Sequence, residues 1–404
     1  SNAVDAHDLA AKEHLGPGVG RYAQVEALTA FAEPAMLQLG ASLLAWAKKE
    51  PRLSLFEPYL DNLLRPKAHR RSAEVEEILG MVREPLSQAE QTASELTDLE
   101  MKFADALDSR GQNHSVIQAT LPPSLQNPDR ELRRTAWENY CDGYLGLKNT
   151  LASNYIASVK QNLFLARARG YDSVLEARLA PANMPLEIFH NLLDTFKANI
   201  ATWHRYWEAR RKILGVDELH PYDIWAPIVE NQPAVPYREG VDMICAGMAP
   251  LGEEYVTVMR RGCLEERWVD YAPNLGTAQG AASSPSHDTP PFIFTSSNDT
   301  LMAMSTLAHE LGHSMHGHLI DVTQPHIYND VFGVSMSAAE TASNFNQALV
   351  RARLMQSRAD DAVFQMALID EAMSNFHRYF FIMPTLARFE FEVYRRAELE
   401  LPFS

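Results

Sequence analysis

The sequence is poor in cysteine, and its cysteines form no pattern. Among 404 residues there are three, Cys141, Cys245 and Cys263, which are widely spaced and contain no metal-binding pair. An odd number of isolated cysteines does not indicate a disulfide framework or a cysteine-based zinc site. Such cysteines are typical of packed thiols in a reducing compartment. We therefore predict a cytoplasmic protein.

Long apolar runs are also missing. The longest candidate, residues 39–47, is interrupted by Gly40 and followed by Lys48 and Lys49. A membrane-spanning helix needs about 20 predominantly apolar residues, and no segment approaches that length. The N-terminal region also lacks the charged, apolar and small-residue order of a signal peptide. These absences predict a soluble protein with no membrane partner.

Positive charge is in deficit. The chain has 36 Lys and Arg residues against 52 Asp and Glu residues, which gives a formal net charge of −16. No stripe of basic residues is present that could follow a phosphate backbone, so we do not expect a nucleic-acid partner. An acidic surface can steer basic peptides over long distances, although solubility is the simpler explanation of the charge.

What the sequence does contain is a histidine-rich stretch, TLMAMSTLAHELGHSMHGHLI, at residues 300–320. Within it, His309 and His313 are four positions apart, so on a helix both imidazoles lie on one face. Zinc binds imidazole nitrogen at about 2.0–2.1 Å, which two such histidines can provide together. Glu310, beside the first histidine, could then hold and deprotonate a metal-bound water. An amphipathic helix that carries histidines by chance is the weaker alternative.

The residues around this motif predict the helix. Four N-cap candidates precede it, Ser296, Ser297, Asn298 and Asp299. Apolar residues then recur at helical spacing, at Leu301, Met302, Met304 and Leu307.

A third metal ligand has to come from elsewhere in the chain. The extended form of the motif requires glycine and histidine where this chain has His316 and Leu319, so that class is excluded. His316 would lie about 10 Å along the helix from His309, too far to share one ion, and we expect it to line the cleft or to be solvated. Glu340 could complete a His₂Glu site with one open position. Residues 337–340 also match the pattern of a capping box. Spacing alone therefore leaves open whether Glu340 is a metal ligand or part of a helix cap.

The segments AHELGHSMH and AAETASNFNQALVRA resemble the thimet-oligopeptidase superfamily of zinc peptidases, and specifically oligoendopeptidase F. The resemblance begins at DRELRRTAWENY around Arg133, includes PPFIFT at residues 290–295 and reaches ARFEFEVYRRAE, so it covers nearly the whole chain. It implies that Glu340, in the A-E-x-A-S segment, is the third zinc ligand. Where many members have a glutamate, this chain has Gln347.

A short apolar β run, Phe292, Ile293 and Phe294, precedes the predicted zinc helix. A strand at this place could use a free edge to bind an extended peptide across the metal. A small buried hairpin that shapes the lobe is an equally good interpretation. The candidate substrate-binding residues are therefore these three and His316.

Together these features predict a mainly α, two-lobed helical metallopeptidase with a deep cleft and a small β element beside the zinc helix. Residues 4–125 would form an N-terminal helical lobe and residues 126–404 the catalytic lobe. One Zn²⁺ ion would be bound by His309, His313 and Glu340, with Glu310 as general base toward a zinc-activated water. The resemblance implies an endopeptidase that cuts internal bonds of short peptides, because a deep cleft between helical lobes excludes folded proteins.

Two alternatives remain open. A metallocarboxypeptidase can use the same His-Glu-His plus Glu site, and a weakly active peptide-binding remnant would keep only the ligands. In the resembled family the chain continues past Ser404 and carries tyrosine and histidine donors that face the substrate. If such donors lie beyond Ser404, we expect this chain to bind zinc but to hydrolyse peptides slowly, and its phenylalanine-rich last helices to expose apolar surface.

Overall fold

Helices account for most of the structure, a computed structural model that describes residues 31–118, 120–229, 232–272, 280–295, 299–328 and 335–402, together with isolated positions before residue 31. The predicted mainly α class is confirmed. Among the helices of the described residues, none is long and apolar enough to cross a membrane.

The helices, in chain order, are α1 Ala32–Leu39, α2 Ala41–Lys49, α3 Glu57–Leu64, α4 Ala73–Met81, α5 Arg83–Ser94, α6 Leu121–Leu125, α7 Arg130–Gly146, α8 Lys148–Arg169, α9 Val174–Leu179, α10 Leu186–Ile213, α11 Tyr237–Met248, α12 Glu253–Leu264, α13 Leu301–Thr323, α14 Met336–Ser357, α15 Ala362–His377 and α16 Met383–Glu398. The strands are β1 Ala106–Leu107, β2 Asn113–His114, β3 Val269–Asp270, β4 Ala281–Ser286 and β5 Thr289–Thr295.

By packing, the chain divides into two discontinuous compact units. The first consists of Ser1–Ala68 and Gln232–Leu368, and the second of His69–Asn231 and Ile369–Ser404. Both α13 and α14 lie in the first unit, together with the three-stranded sheet. The division of the sequence into lobes at residues 125 and 126 stays a prediction, as does the cleft between lobes.

The core of the first unit brings α13 and α14 into backbone contact. A Cβ atom added at Gly312 would lie 2.5 Å from the Cα of Ser343, closer than real side chains approach a backbone. Two turns further along the same face of α14, a Cβ at Gly247 of α11 would lie 2.8 Å from the Cα of Val350. Glycine at these two positions therefore lets three helices pack at close range and sets the place of α14 beside the histidines of α13.

The sheet of the first unit has the strand order β3–β5–β4. The central strand, β5, runs parallel to β3 and antiparallel to β4. The β4–β5 hairpin closes through a two-residue turn, His287 and Asp288, in which Asp288 has a positive φ of 54°. The pairing register shifts between Ser284 and Ser286, where Pro285 has no N–H for the ladder.

The start of α13 differs from the prediction by at least one residue. The N-cap is Thr300, whose Oγ1 accepts a hydrogen bond from the backbone N–H of Ala303 at 3.1 Å. Of the predicted cap residues, Asp299 has a positive φ of 53° and precedes the cap. The other three candidates, Ser296, Ser297 and Asn298, lie outside the described residues.

The second unit contains buried charge that is paired. The side chain of Asp223 is fully buried and accepts hydrogen bonds from Arg130 and Arg133. Arg210, also buried, donates to Asp370 at 2.7 Å. Because an unpaired buried charge is costly, the first group fixes α7 against the segment that carries Asp223, and the second pair fixes α10 against Asp370 of α15.

A buried histidine sits among the tryptophans of the second unit. The ring of His377 stacks on Trp203 with ring centroids 5.2 Å apart, and Trp207 meets it edge-on. Burial and, secondarily, the charge of Arg210 lower the pKa of His377 to about 4. The native protein therefore keeps this imidazole neutral at pH values where an unfolded chain would protonate it.

We predict that the stability of the protein decreases as the pH falls from about 6.5 to about 4. In this window the unfolded chain binds a proton at His377 that the folded chain does not, which costs roughly 3 kcal/mol at the lower end. Denaturant unfolding of wild type and His377→Phe at several pH values measures the effect. The variant should show a shallower pH dependence, whereas the exposed His190→Gln control should not. Equal slopes for all three proteins would contradict the prediction.

Candidate metal centre

The structure brings the three predicted ligands together. His309 and His313 project from the middle of α13, and Glu340 from the second turn of α14. The Nε2 atom of His309 lies 3.3 Å from one carboxylate oxygen of Glu340, and that of His313 lies 3.8 Å from the other. One ligand atom from each residue falls within 4.8 Å of the others. Donors around a tetrahedral zinc ion lie roughly 3.3 Å apart, so this spacing is close to that of a metal site.

The cap of α14 excludes one of the two interpretations of Glu340, the capping box. The N-cap is Ser335, whose Oγ accepts a hydrogen bond from the backbone N–H of Ala338 at 3.3 Å. Ser337 is therefore inside the helix, and the interpretation of Ser337 and Glu340 as a capping box is wrong. The carboxylate of Glu340 faces the two imidazoles and accepts a hydrogen bond from Ser343 Oγ at 3.1 Å.

The ring of His309 is oriented by Gln347, a contact that the sequence did not predict. Gln347 donates through Nε2 to Ser305 Oγ at 2.9 Å, so its Oε1 atom remains as the acceptor. That Oε1 lies 3.1 Å from Nδ1 of His309. Nδ1 consequently carries the ring hydrogen, and Nε2 presents its lone pair toward Glu340.

The second imidazole is held in a similar way. His313 hydrogen-bonds the backbone of Ala339, and its Nε2 also faces Glu340. Burial, followed by the neighbouring His309, lowers the pKa of His313. Two imidazoles whose Nε2 atoms face one carboxylate are a ligand set that fits a divalent metal ion.

Glu310 is held beside this group by strand β4. Its side chain is buried, and its carboxylate accepts a hydrogen bond from the backbone N–H of Ser283. The Oγ atoms of Ser283 and Ser314 lie 2.8 Å apart, which ties the strand to α13. Burial and then the negative charge of Glu340 raise the pKa of Glu310 to about 7. The carboxylates of the predicted base and the predicted ligand are therefore close enough to interact.

Of the two interpretations of Phe292–Phe294, the free strand edge is wrong, because these residues lie in β5, the central strand of the sheet. The backbone N–H of Ile293 donates to the carbonyl of Trp268 at 2.7 Å, on the β3 side, and the Ile293 side chain is fully buried. The substrate-binding role of the three residues stays a prediction. The outer strand is β4, which within the described part of the sheet pairs with β5 only.

His316 lies on α13, one turn beyond His313, and does not belong to the three-residue ligand group. Its Nδ1 atom is buried and has no hydrogen-bond partner among the described residues. Burial lowers the pKa of His316, so this imidazole is neutral at physiological pH. Its contact with substrate stays a prediction.

Comparison with known proteins identifies the family. A family profile described as Peptidase family M3 matches residues 124–403, and one described as Oligopeptidase F matches residues 36–103. The chain belongs to peptidase family M3. The predicted resemblance is thereby confirmed. Membership in this metallopeptidase family implies a metal, and the group of His309, His313 and Glu340 provides donors for one.

Two individual proteins that are similar in sequence to this chain support the family assignment. Oligopeptidase PepF of Bacillus subtilis is 30% identical over 379 residues, which are 93% of this chain and 56% of PepF. Group B oligopeptidase PepB of Streptococcus agalactiae is 28% identical over 384 residues, 95% of this chain and 63% of PepB. The chain thus spans less than two thirds of the length of these two relatives.

Solved structures show the same fold. A Chlamydophila abortus protein with a provisional peptidase assignment superposes with a TM-score of 0.85 and 28% identity, covering 100% of this chain and 67% of that one. Oligoendopeptidase-F from Enterococcus faecium superposes with a TM-score of 0.70 over 99% of this chain and 66% of that one. At 22% identity, the second match supports the fold alone.

Replacing Glu340 with Ala should weaken zinc binding at this centre by about 100-fold or more. Loss of an outer-shell partner alone costs about 10–100-fold in metal affinity, and loss of a direct ligand should cost more. Competition with a chromophoric zinc chelator measures the affinity. Ser335→Ala is the matched control, because it removes the cap of α14 at a cost of about 1 kcal/mol in stability but leaves the donors in place. Wild-type affinity in Glu340→Ala would exclude Glu340 as a ligand.

Replacing Gln347 with Leu should lower zinc affinity by about 10–100-fold, because His309 loses the acceptor that fixes its tautomer. Gln347→Glu keeps an acceptor at this place and should retain tight binding. Gln356→Leu, an exposed change on the same helix, serves as control. The same titration applies, and a Gln347→Leu protein that binds zinc as tightly as the control would show that the amide does not orient the ring.

Proposed function

We propose that this chain is a zinc-dependent endopeptidase that hydrolyses internal bonds of short peptides. His309, His313 and Glu340 would hold the ion, and Glu310 would act as general base and then general acid. The observation that carries the proposal is the position of Glu310. A buried carboxylate that is oriented by a backbone N–H and interacts with Glu340, which faces two imidazoles, suits metal-assisted hydrolysis.

The residues of the chain have separable tasks in this reaction. A zinc ion held by the three donors would supply a Lewis acid, which makes water more acidic and polarises a peptide carbonyl. Glu310 takes the proton of the attacking water and delivers it to the leaving amine. The N–H of Ser283 keeps the carboxylate in place through both transfers, and the bond between Ser283 and Ser314 keeps the strand against the helix.

The outer edge of β4 is the place where we expect the substrate backbone. Because the N–H of Ile293 points to β3, its partner Ser283 forms a non-hydrogen-bonded pair with it. The N–H and C=O of Ser283 therefore point away from β5, toward the side on which Glu310 lies. Because Glu310 already accepts the N–H of Ser283, an extended peptide at this edge would pair with the C=O of Ser283 instead, and its backbone would pass the base. The oligopeptidase names of the relatives support short peptides as the substrate class.

Replacing Glu310 with Gln should leave zinc bound and reduce peptide hydrolysis at least about 100-fold, because the amide accepts the N–H of Ser283 but cannot take a proton. Zinc-loaded wild type and variant are incubated with a mixed peptide library, and the products are identified by mass spectrometry. Glu253→Gln, an exposed change in the first turn of α12, is the matched control and should cleave as wild type does.

The library also separates the endopeptidase from a carboxypeptidase. Half of the peptides carry a C-terminal amide, which removes the free carboxylate that a carboxypeptidase has to bind. Internal cleavage of both halves supports the proposal, whereas single-residue release from the free-carboxylate half alone would replace it with the carboxypeptidase. Full activity in zinc-replete Glu310→Gln would rule out the assigned base.

A further inference from the structure

A second group of metal-binding side chains lies where the β4–β5 turn meets the last turn of α13. The turn supplies His287 and Asp288, and the helix supplies Asp321. One potential ligand atom from each of the three residues lies within 4.8 Å of the others. The described part of the chain thus contains two such groups, and only the first belongs to the proposed peptidase site.

The contacts within this group are close. Nδ1 of His287 lies 2.5 Å from Oδ1 of Asp321, and its Nε2 lies 3.6 Å from Oδ2 of Asp288. The backbone N–H of Asp288 also donates to Asp321 Oδ1 at 3.3 Å, so the turn is fastened to the helix. The ring of His326, in the 3₁₀ turn His326–Tyr328, lies with its centroid 4.4 Å from that of His287.

This group is distinct from the proposed catalytic centre. On α13, Asp321 is eight residues after His313 and twelve after His309, which at 1.5 Å per residue is roughly 12 and 18 Å along the helix axis. No side chain is shared between the two groups. A single ion could not contact both of them.

We propose that His287, Asp288 and Asp321 form a second binding site for a divalent transition-metal ion such as Zn²⁺ or Mn²⁺. One imidazole and two carboxylates give a mixed nitrogen and oxygen ligand set, which suits these ions better than Mg²⁺ or Ca²⁺, whose sites are built from oxygen. The two carboxylate charges match the charge of the ion. His326 is near enough to His287 to supply a fourth ligand by rotation of its side chain.

Asp321 faces Nδ1 of His287 and Asp288 faces Nε2, so an ion bound at Nδ1 requires the exposed side chain of Asp288 to rotate toward Asp321. Two ligands at right angles on one zinc ion lie roughly 3 Å apart, which is slightly more than the 2.5 Å between His287 and Asp321. The ion would replace the hydrogen that these two atoms share. An adjoining cavity of about 330 Å³, lined in part by Trp268, His318 and Asp321, has room for water to complete the coordination.

A metal at this place would cross-link the hairpin to α13. The same hairpin carries Ser283, which holds Glu310 and contacts Ser314. Occupancy of the second site would therefore stabilise the element that positions the proposed base, without any ligand in common with it. An ordinary ion pair between His287 and Asp321 is the competing explanation, and it predicts no bound metal.

The test is the number of zinc ions that the full chain binds. Chelator-treated protein is titrated with Zn²⁺ by calorimetry, and bound metal is counted after equilibrium dialysis. Wild type should bind two ions. Asp321→Asn and Asp288→Asn should each weaken one of the two by at least tenfold, whereas the exposed Asp194→Asn control should bind two as before. In Glu340→Ala, the ion at the second site should remain.

Several results would overturn this assignment. One ion in wild type, lost in Glu340→Ala, would mean that His287 and Asp321 form an ion pair only. A second ion that binds equally well in Asp321→Asn and Asp288→Asn would have to lie elsewhere among the histidines. Circular dichroism checks that Asp321→Asn folds. If it does not, Asp288→Asn decides the question, because Asp288 is exposed in the turn and its side chain is not needed for packing.

Discussion

The candidate metal centre depends on the close approach of two helix backbones at Gly312. Any side chain at this position would run into the Cα of Ser343 and the carbonyl oxygen of Ala342, neither of which can move without moving α14. Glu340 lies less than one helical turn before Ser343, so a displacement there separates its carboxylate from His309 and His313. Metal–ligand distances tolerate only about 0.2 Å of deviation. The position of Glu340 beside the two histidines thus requires a glycine at position 312.

The residues of the candidate metal centre differ in how well the sequence alone predicts their positions. A four-residue spacing on a helix fixes the relation of His309 to His313 before any tertiary contact is known. Glu340 is different. It follows Ser337 by three residues, which fits a capping box, and a glutamate is equally suitable as a metal ligand. The structure excludes the capping box, because Ser335 is the N-cap of α14. A serine two positions earlier carries too weak a signal to be recognised as the cap beforehand.

The strands show where sequence reasoning fails. Phe292–Phe294 has the composition of a strand, but its neighbour β3 is two residues long and leaves no periodic pattern, so the central place of β5 could not be predicted. Strand β4 consists of small and polar residues that favour loops. It forms because pairing with β5 and packing against α13 override local propensity. Ser283 was missed for the same reason, although it holds Glu310.

The charges of the centre are matched to a divalent ion. Glu310 and Glu340 contribute two carboxylates, and burial together with the negative charge of Glu340 raises the pKa of Glu310, a shift that a bound cation would oppose. The two imidazoles are neutral as ligands. Gln347 gives His309 an acceptor without adding charge. A glutamate in its place would bring a third carboxylate into the buried group. With glutamine, two carboxylates would balance the charge of one divalent ion, and Gln347 would orient the His309 ring without changing that balance.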